Sequence, residues 1–420
     1  MNLATGYSVK VRALPGTIAF AGCLAAGCGS SAPATSTGGA GQAGGGGQDA
    51  DGSAGTGGRG APSDGSVAVP PARWVMGYYA GYQASLYPVD QIPWSSLTHV
   101  AVAFYLPRSD GTLDESLDID ATNGPALARS LVAAAHASGR LALASIGGAG
   151  LHDAFAAAAA AGPRATFVAN LIGLLSTYGY DGLDLDWEPV ATADQAPLQA
   201  LVAALRAAAP PGTLLSMPVG YENVNLPDDL SIYAAMAADL DRINIMTYGM
   251  AGAYDGWKSW HSSALYQTDS ATPTSIDSSV KLYLKAGVPA AKLGIGSGFY
   301  GLCYTPPVAA PDQALGGATL AGDDGTLSYA NLAAAYDLST AHRDTAAQVP
   351  YLSFAAATGP QGCCYVSYED PQSLADKGAY LKGQALGGVI IWTINEGYLP
   401  TAPTGQRSPL LTALGAAVLP

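Results

Sequence analysis

Tyr180-Asp181-Gly182-Leu183-Asp184-Leu185-Asp186-Trp187-Glu188 is the densest run of acids in the chain. Asp181, Asp184, Asp186 and Glu188 fall within eight residues of a sequence that is 12% charged. Leu183, Leu185 and Trp187 alternate with them. This alternation is the pattern of a β-strand, whose successive side chains point to opposite faces. Asp184, Asp186 and Glu188 therefore share one face, roughly 6.6–6.8 Å apart at about 3.3–3.4 Å rise per residue. Carboxylates stacked along one strand repel each other and cost stability when buried. Such a row points to chemistry rather than packing.

Outward from this strand, seven more apolar runs have strand texture: Trp74–Tyr79, Thr98–Tyr105, Leu141–Ile146, Leu214–Val219, Arg242–Tyr248, Leu293–Tyr300 and Val389–Ile394. Helical periodicity separates them at Pro125–Ser138, Arg164–Tyr178, Asp194–Ala209, Asp228–Ala238, Ser275–Ala286, Pro371–Gln384 and Pro409–Val418. Asp194, Asp228 and Ser275 are expected N-caps. Strands alternating with helices predict a parallel α/β sheet. Eight such units fit a (β/α)₈ TIM barrel spanning 73–418. An open doubly wound sheet is the alternative. No Gly-x-Gly-x-x-Gly turn follows the first strand, so a dinucleotide cofactor is not expected.

The stretch 302–370 is too long for one strand-to-helix loop. Ser328–Ala341 reads as helical, and Val349–Phe354 and Tyr365–Tyr368 as short strands, so a small α+β insertion is expected after the seventh strand. Cys303, Cys363 and Cys364 fall inside it. In an exported protein, Cys303 is expected to pair with Cys363 or Cys364. A metal site is disfavoured, since no histidine pattern accompanies the cysteines.

Export is suggested by the N-terminus. Lys10 and Arg12 precede an apolar stretch, Leu14 to Ala26, that is too short to span a bilayer. Leu24-Ala25-Ala26-Gly27-Cys28 resembles a bacterial lipoprotein signal cleaved before Cys28, which would carry the lipid; Ala25 stands where Leu is usual. An ordinary secretory signal over 1–28 is the alternative. Residues 29–72 are Gly, Ala, Ser, Thr and Asp with almost no large apolar side chain, the composition of a disordered tether. The protein is thus expected at the cell envelope or outer membrane as a lipoprotein, or else secreted. A formal charge of −14 argues against nucleic acid and against charge-driven membrane binding. The molecule reads as a monomer whose only membrane contact is the lipid.

Active sites of such barrels lie at the C-terminal ends of the strands. Glu188, next to strand-breaking Pro189, is therefore placed at the mouth, with Asp186 and Asp184 deeper. Their charges are expected to raise the Glu188 pKa, which suits a general acid for a leaving oxygen. No second carboxylate elsewhere carries a comparable signal, which points to a substrate that supplies its own nucleophile.

At this point the chain resembles a known family. Asp181-Gly182-Leu183-Asp184-Leu185-Asp186-Trp187-Glu188 is similar to the DGxDxDxE signature of glycoside hydrolase family 18, the chitinases. Gly77-Tyr78-Tyr79, Leu97-Thr98-His99 with Ala103-Phe104, Ser145-Ile146-Gly147-Gly148, Met246-Thr247-Tyr248 and Ile391-Trp392 resemble further family motifs in the same order. The resemblance implies a retaining, substrate-assisted hydrolysis of β-1,4-linked N-acetylglucosamine polymers or oligomers without a cofactor or metal. It implies Glu188 as proton donor, Asp186 as acceptor for the acetamido N–H, Asp184 as its hydrogen-bond partner, and Tyr248 as orienter of the acetamido oxygen. Trp392 would form the floor, with Tyr78, Phe104 and Met246 as walls. Gly147 and Gly148 would let backbone approach closely, and Asp181 would fix the strand entry.

Two positions depart from that pattern. Gly249 stands where an Asp usually follows the tyrosine, with Asp255 or Glu222 as candidate replacements. Ala149 stands where an aromatic often follows the glycine pair; Tyr254, Trp257, Trp260 and His261 are candidates for a different aromatic platform. The alternatives carried are an endo-β-N-acetylglucosaminidase acting on glycoprotein or cell-wall glycans, and a glycan-binding barrel without turnover. His99 is expected to be a satisfied core residue.

Overall fold

The computed structural model describes residues 73–223, 228–253, 256–267 and 274–420. The expected signal with Cys28, the tether, and Tyr254 and Asp255 lie outside the described residues. Eight parallel strands follow one another: β1 Trp74–Ala80, β2 His99–Pro107, β3 Leu141–Gly147, β4 Gly182–Asp186, β5 Leu214–Val219, β6 Arg242–Ile245, β7 Leu293–Gly298 and β8 Gly388–Trp392. Each pairs with its neighbours in sequence order, and β1 pairs with both β2 and β8, which closes the barrel.

The outer helices include α1 Asn123–Ala137, α2 His152–Ala159, α3 Arg164–Tyr178, α4 Gln195–Ala208, α5 Ser231–Met236 and α6 Ile276–Lys285. Their apolar faces meet the outward residues of the strands. Leu183, Leu185 and Trp187 lie in this strand–helix layer, almost fully buried; each leucine contributes about 1.5–3 kcal/mol by burial. Ser275 caps α6, its hydroxyl accepting from the Ser278 N–H at 3.1 Å. Asp228 does not cap: α5 starts at Ser231, and the Asp228 N–H donates to Glu222 instead, at 2.9 Å. Asp194 sits before α4, but its carboxylate turns back to the Ala191 N–H at 2.8 Å.

Between β7 and the later helices α8 Pro371–Gly383 and α9 Pro409–Val418 lies a second sheet. Five antiparallel strands run in the order Leu320–Ala321, Leu302–Tyr304, Cys363–Ser367, Val349–Thr358 and His342–Asp344, beside the short helix α7 Tyr329–Ala335. Cys303 is bonded to Cys363, with Cα atoms 5.5 Å apart, and Cys364 is free and buried. Cys303 and Cys363 lie on the same pair of adjacent strands, while neighbouring Cys364 projects to the other face.

Candidate active site

The strand alternation puts Asp184 and Asp186 inside the barrel, 0% and 3% exposed. β4 ends at Asp186, two residues short of the expected run, so Glu188 stands on the loop at the mouth, half-buried. The reason lies in the pairing. Gly147 is the last residue of β3 and stands opposite Asp186, and beyond it only the Gly148 N–H reaches across, donating to the Asp186 carbonyl at 2.8 Å. A Cβ on Gly147 would lie 2.2 Å from that carbonyl oxygen, so only glycine permits the approach.

The carboxyl groups are wired differently from the expectation. Asp184 does not bond to Asp186; its Oδ2 accepts from the Tyr78 hydroxyl at 2.7 Å and the Ser145 hydroxyl at 2.9 Å. Burial raises its pKa, and these hydroxyls offset part of the rise. Asp186 and Glu188 share the hydrogen bond instead, and two carboxyls in contact need one proton between them. Asp186 is pushed well above the carboxylate range, first by burial, then by the charges of Glu188 and Asp184. Glu188 is also raised, by burial rather than by the repulsion expected, while its contact with Asp186 works the other way. The charge of Arg242 favours the ionised form of Asp184. Arg242 stands opposite Ser216, and Ser216 opposite Asp184, so the three share one layer across β4, β5 and β6.

Aromatic side chains surround the row. Trp392, at the end of β8, stacks on Phe104 with ring centres 5.5 Å apart and tilts against Tyr78 at 5.7 Å. Met246 and Tyr248 pack on the same inner cluster. The Tyr248 phenol is held well above its ordinary pKa by burial, then by Tyr300, Glu188, Asp186 and Asp184. A Cβ on Gly148 would meet the Phe104 ring at 2.9 Å, which explains a second glycine there. Ten named residues thus converge at one end of the barrel: Glu188, Asp186, Asp184, Tyr248, Tyr78, Phe104, Gly147, Gly148, Met246 and Trp392.

Residues 74–397 match the sequence profile of glycosyl hydrolases family 18. The chain belongs to that family. It is 30% identical over 344 residues to chitinase 1 of Aphanocladium album, covering 74% of this chain and 78% of that relative. Against endochitinase 1 of Metarhizium robertsii it is 28% identical over 352 residues, covering 74% and 78%. The fold is similar to the crystal structure of the group IV chitinase of Ostrinia furnacalis, with a TM-score of 0.69 at 23% identity, over 82% of this chain and 99% of that one. This family 18 protein is therefore a glycoside hydrolase with a chitinase-like barrel.

Within this family 18 barrel, several residues lie away from the row. Asp181 sits at the entry of β4, where its carboxylate accepts from the Ala142 N–H at 2.8 Å and contacts His136 Nε2 at 2.9 Å. His99 is satisfied in the core by Thr98 and Arg242. Glu222 does not replace the acid absent at 249: it is buried against Asp228, Tyr233 and Tyr283, with its pKa raised to about 7 by burial. Trp260 and His261 form no platform, since both are fully buried. Trp260 donates to the Thr274 carbonyl at 2.9 Å.

Three site residues carried no assignment in the sequence. Ser145 binds Asp184. Tyr300, just past β7, meets Tyr248 edge-on at 6.2 Å. Its hydroxyl lies 3.3 Å from where a Cβ on Gly249 would be. Asp324, from the insertion, accepts from the Trp392 indole N–H at 2.8 Å. Ser145 was legible as part of its motif and Tyr300 as the end of its strand run. Asp324 has no local signal, because a loop distant in sequence delivers it.

Proposed function

We propose that the protein hydrolyses β-1,4-linked N-acetylglucosamine chains with retention of anomeric configuration. The observation that carries this is Asp184 and Asp186 on the inner face of β4 with Glu188 on the loop just beyond, where Tyr78, itself packed on Trp392, donates to Asp184. Glu188 donates its proton to the glycosidic oxygen as the C–O bond breaks. The carbonyl oxygen of the substrate's own acetamido group attacks the anomeric carbon, so no second protein carboxylate is needed. Asp186 turns to the acetamido N–H and offsets the positive charge that develops there, while Tyr248 orients the acetamido oxygen. Water then opens the cyclic intermediate, giving its proton to Glu188. Asp184, held by Tyr78 and Ser145, acts on Asp186 through its charge, which helps keep the Asp186 pKa high, and Trp392 supports the sugar that reacts.

The substrate's acetamido group is the part of this mechanism most open to test. Oligomers of N-acetylglucosamine should be cut, and fully deacetylated oligomers of the same length should not. Equal rates on both would remove the substrate from the mechanism. By the same reasoning from sequence, residues 1–28 export the chain and Cys28 carries a lipid. The Cys303–Cys363 bond supports an oxidising compartment. Cys28→Ser should move the protein from the membrane fraction to the soluble one.

A further inference from the structure

The segment that carries Glu188 is fastened at both ends to the same neighbour, the connection between β3 and α2. At its base, the Gly148 N–H holds the Asp186 carbonyl at 2.8 Å. At its far end, His152 Nε2 meets Asp194 Oδ2 at 2.9 Å. In between, Trp187 stacks on Phe155 with ring centres 4.8 Å apart, and the His152 ring lies 6.5 Å from the Trp187 ring. The same Asp194 oxygen accepts from the Ala191 N–H at 2.8 Å, so a grip on Asp194 fixes the turn that follows Glu188.

His152 has a second acidic neighbour. Its Nδ1 lies 2.9 Å from Asp153 Oδ1. Both ring nitrogens therefore face carboxylate oxygens. Only the imidazolium carries an N–H on each nitrogen; a neutral ring would aim a lone pair at one of the two carboxylates. His261 provides the contrast within the same molecule. Its Nε2 faces Asp344 Oδ2 at 3.0 Å and its Nδ1 faces the Tyr365 hydroxyl at 2.8 Å. One acceptor and one donor suit a neutral ring, and burial lowers the His261 pKa accordingly.

We propose that His152 is a positioning residue: as an imidazolium it clamps the Glu188 segment through Asp194, and loss of its proton loosens that clamp. This rests on Glu188 being the proton donor. The ionisable groups facing His152 are Asp153 on its own helix and Asp194 on the opposite loop. They raise its pKa in that order, and burial offsets part of the rise. The folded value thus lies above the ordinary one of about 6.5. The clamp is complete below the ordinary value and is lost as the pH rises through the raised one. Its effect is modest, since 31% of the His152 side chain is exposed.

Four forms of the full chain test this: wild type, Asp153→Asn, His152→Gln and the double variant. The His152 titration is followed by NMR, amide exchange of residues 190–194, corrected for its intrinsic rise with pH, by mass spectrometry, and kcat and KM against pH on N-acetylglucosamine oligomers. Asp153 is fully exposed, so Asp153→Asn disturbs no packing. It should lower the His152 titration by about 0.2–0.7 pH unit, the scale of an exposed ion pair, and shift the alkaline limb of kcat equally, with KM unchanged. The corrected exchange of 190–194 should quicken as His152 titrates. In the His152→Gln background, Asp153→Asn should shift nothing, because the glutamine does not titrate. Exchange indifferent to the His152 titration would overturn the proposal. So would an equal shift of the limb in the His152→Gln background, which would assign the effect to long-range charge on Glu188. The NMR and exchange arms need no substrate, so a protein without hydrolytic activity would fail the proposed function and leave the clamp separately testable.

Discussion

The barrel mouth and the junction of the insertion with α8 both bury ionisable groups, and they treat them in opposite ways. At the mouth, like charges face each other, and Oδ1 of Asp186 is buried without a hydrogen-bond partner. At the junction, opposite charges meet, and both members of the buried Lys377–Glu369 pair are hydrogen-bonded. Lys377 donates to Glu369 and to the Ser263 hydroxyl, and the other oxygen of Glu369 accepts from Ser373. Nearby, His261 is held between Asp344 and Tyr365. Paired burial holds the insertion to the barrel. Unpaired burial costs stability, and buried ionisable groups with strongly shifted pKa values of this kind cluster at functional sites.

The sharpest way to separate the two regions is to remove one charged group from each. Asp186→Asn should cut hydrolysis of N-acetylglucosamine oligomers by about 10²–10³-fold, the scale of losing one preorganised electrostatic contact, while leaving the fold intact. Lys377→Met should do the reverse. It strands Glu369 as a buried charge and should cost about 3–5 kcal/mol in urea unfolding, with activity per folded molecule little changed. Adding Glu369→Leu should recover most of that loss, because a packed apolar pair often equals a buried ion pair.

The two regions should also respond to pH with opposite signs. The pKa of Asp344 is lowered to about 2, chiefly by its hydrogen bond from His261. Its contribution is therefore present above the ordinary carboxylate value and lost as the pH falls toward 2. Asp186 is raised, so its cost appears as the pH rises through its elevated value. Thermal scans should show Asp344→Asn flattening the acid-side loss and Asp186→Asn flattening the loss on the alkaline side. The same pH response in both variants would contradict the comparison. The smallest effect is expected from Tyr78→Phe. It removes one of the hydroxyls that lower the Asp184 pKa, and so should raise that pKa and cost about tenfold or less in kcat, as one hydrogen bond of roughly 1 kcal/mol implies.

Much of the mouth was legible because strands write their geometry into sequence. The alternation in Gly182–Glu188 assigned each acid to the inner face and each large apolar residue to the outer one, and the barrel follows it. Where the strand ends was not legible, since that depends on how far β3 reaches beside it. The proton partner was misassigned for the same reason. Tyr78 and Ser145 come from two other strands to occupy Asp184, which leaves Asp186 to Glu188. The junction was nearly invisible. Lys377, Glu369 and Ser263 are far apart in sequence, and no periodicity announces that they meet. Trp260 and His261 were candidates for an aromatic platform because a loop carries them, but the insertion covers both.

The central claim is that Glu188 is the proton donor in a retaining, substrate-assisted cleavage. The direct measurement follows N-acetylglucosamine oligomers of increasing length by NMR, for wild type and Glu188→Gln, and reads both rate and the anomer first released. Wild type should give shorter oligomers in the β-configuration. Glu188→Gln, still folded, should be slower by about 10²–10⁴-fold, the usual contribution of a positioned acid. Release of the α-anomer, or equal rates for the two proteins, would contradict the account.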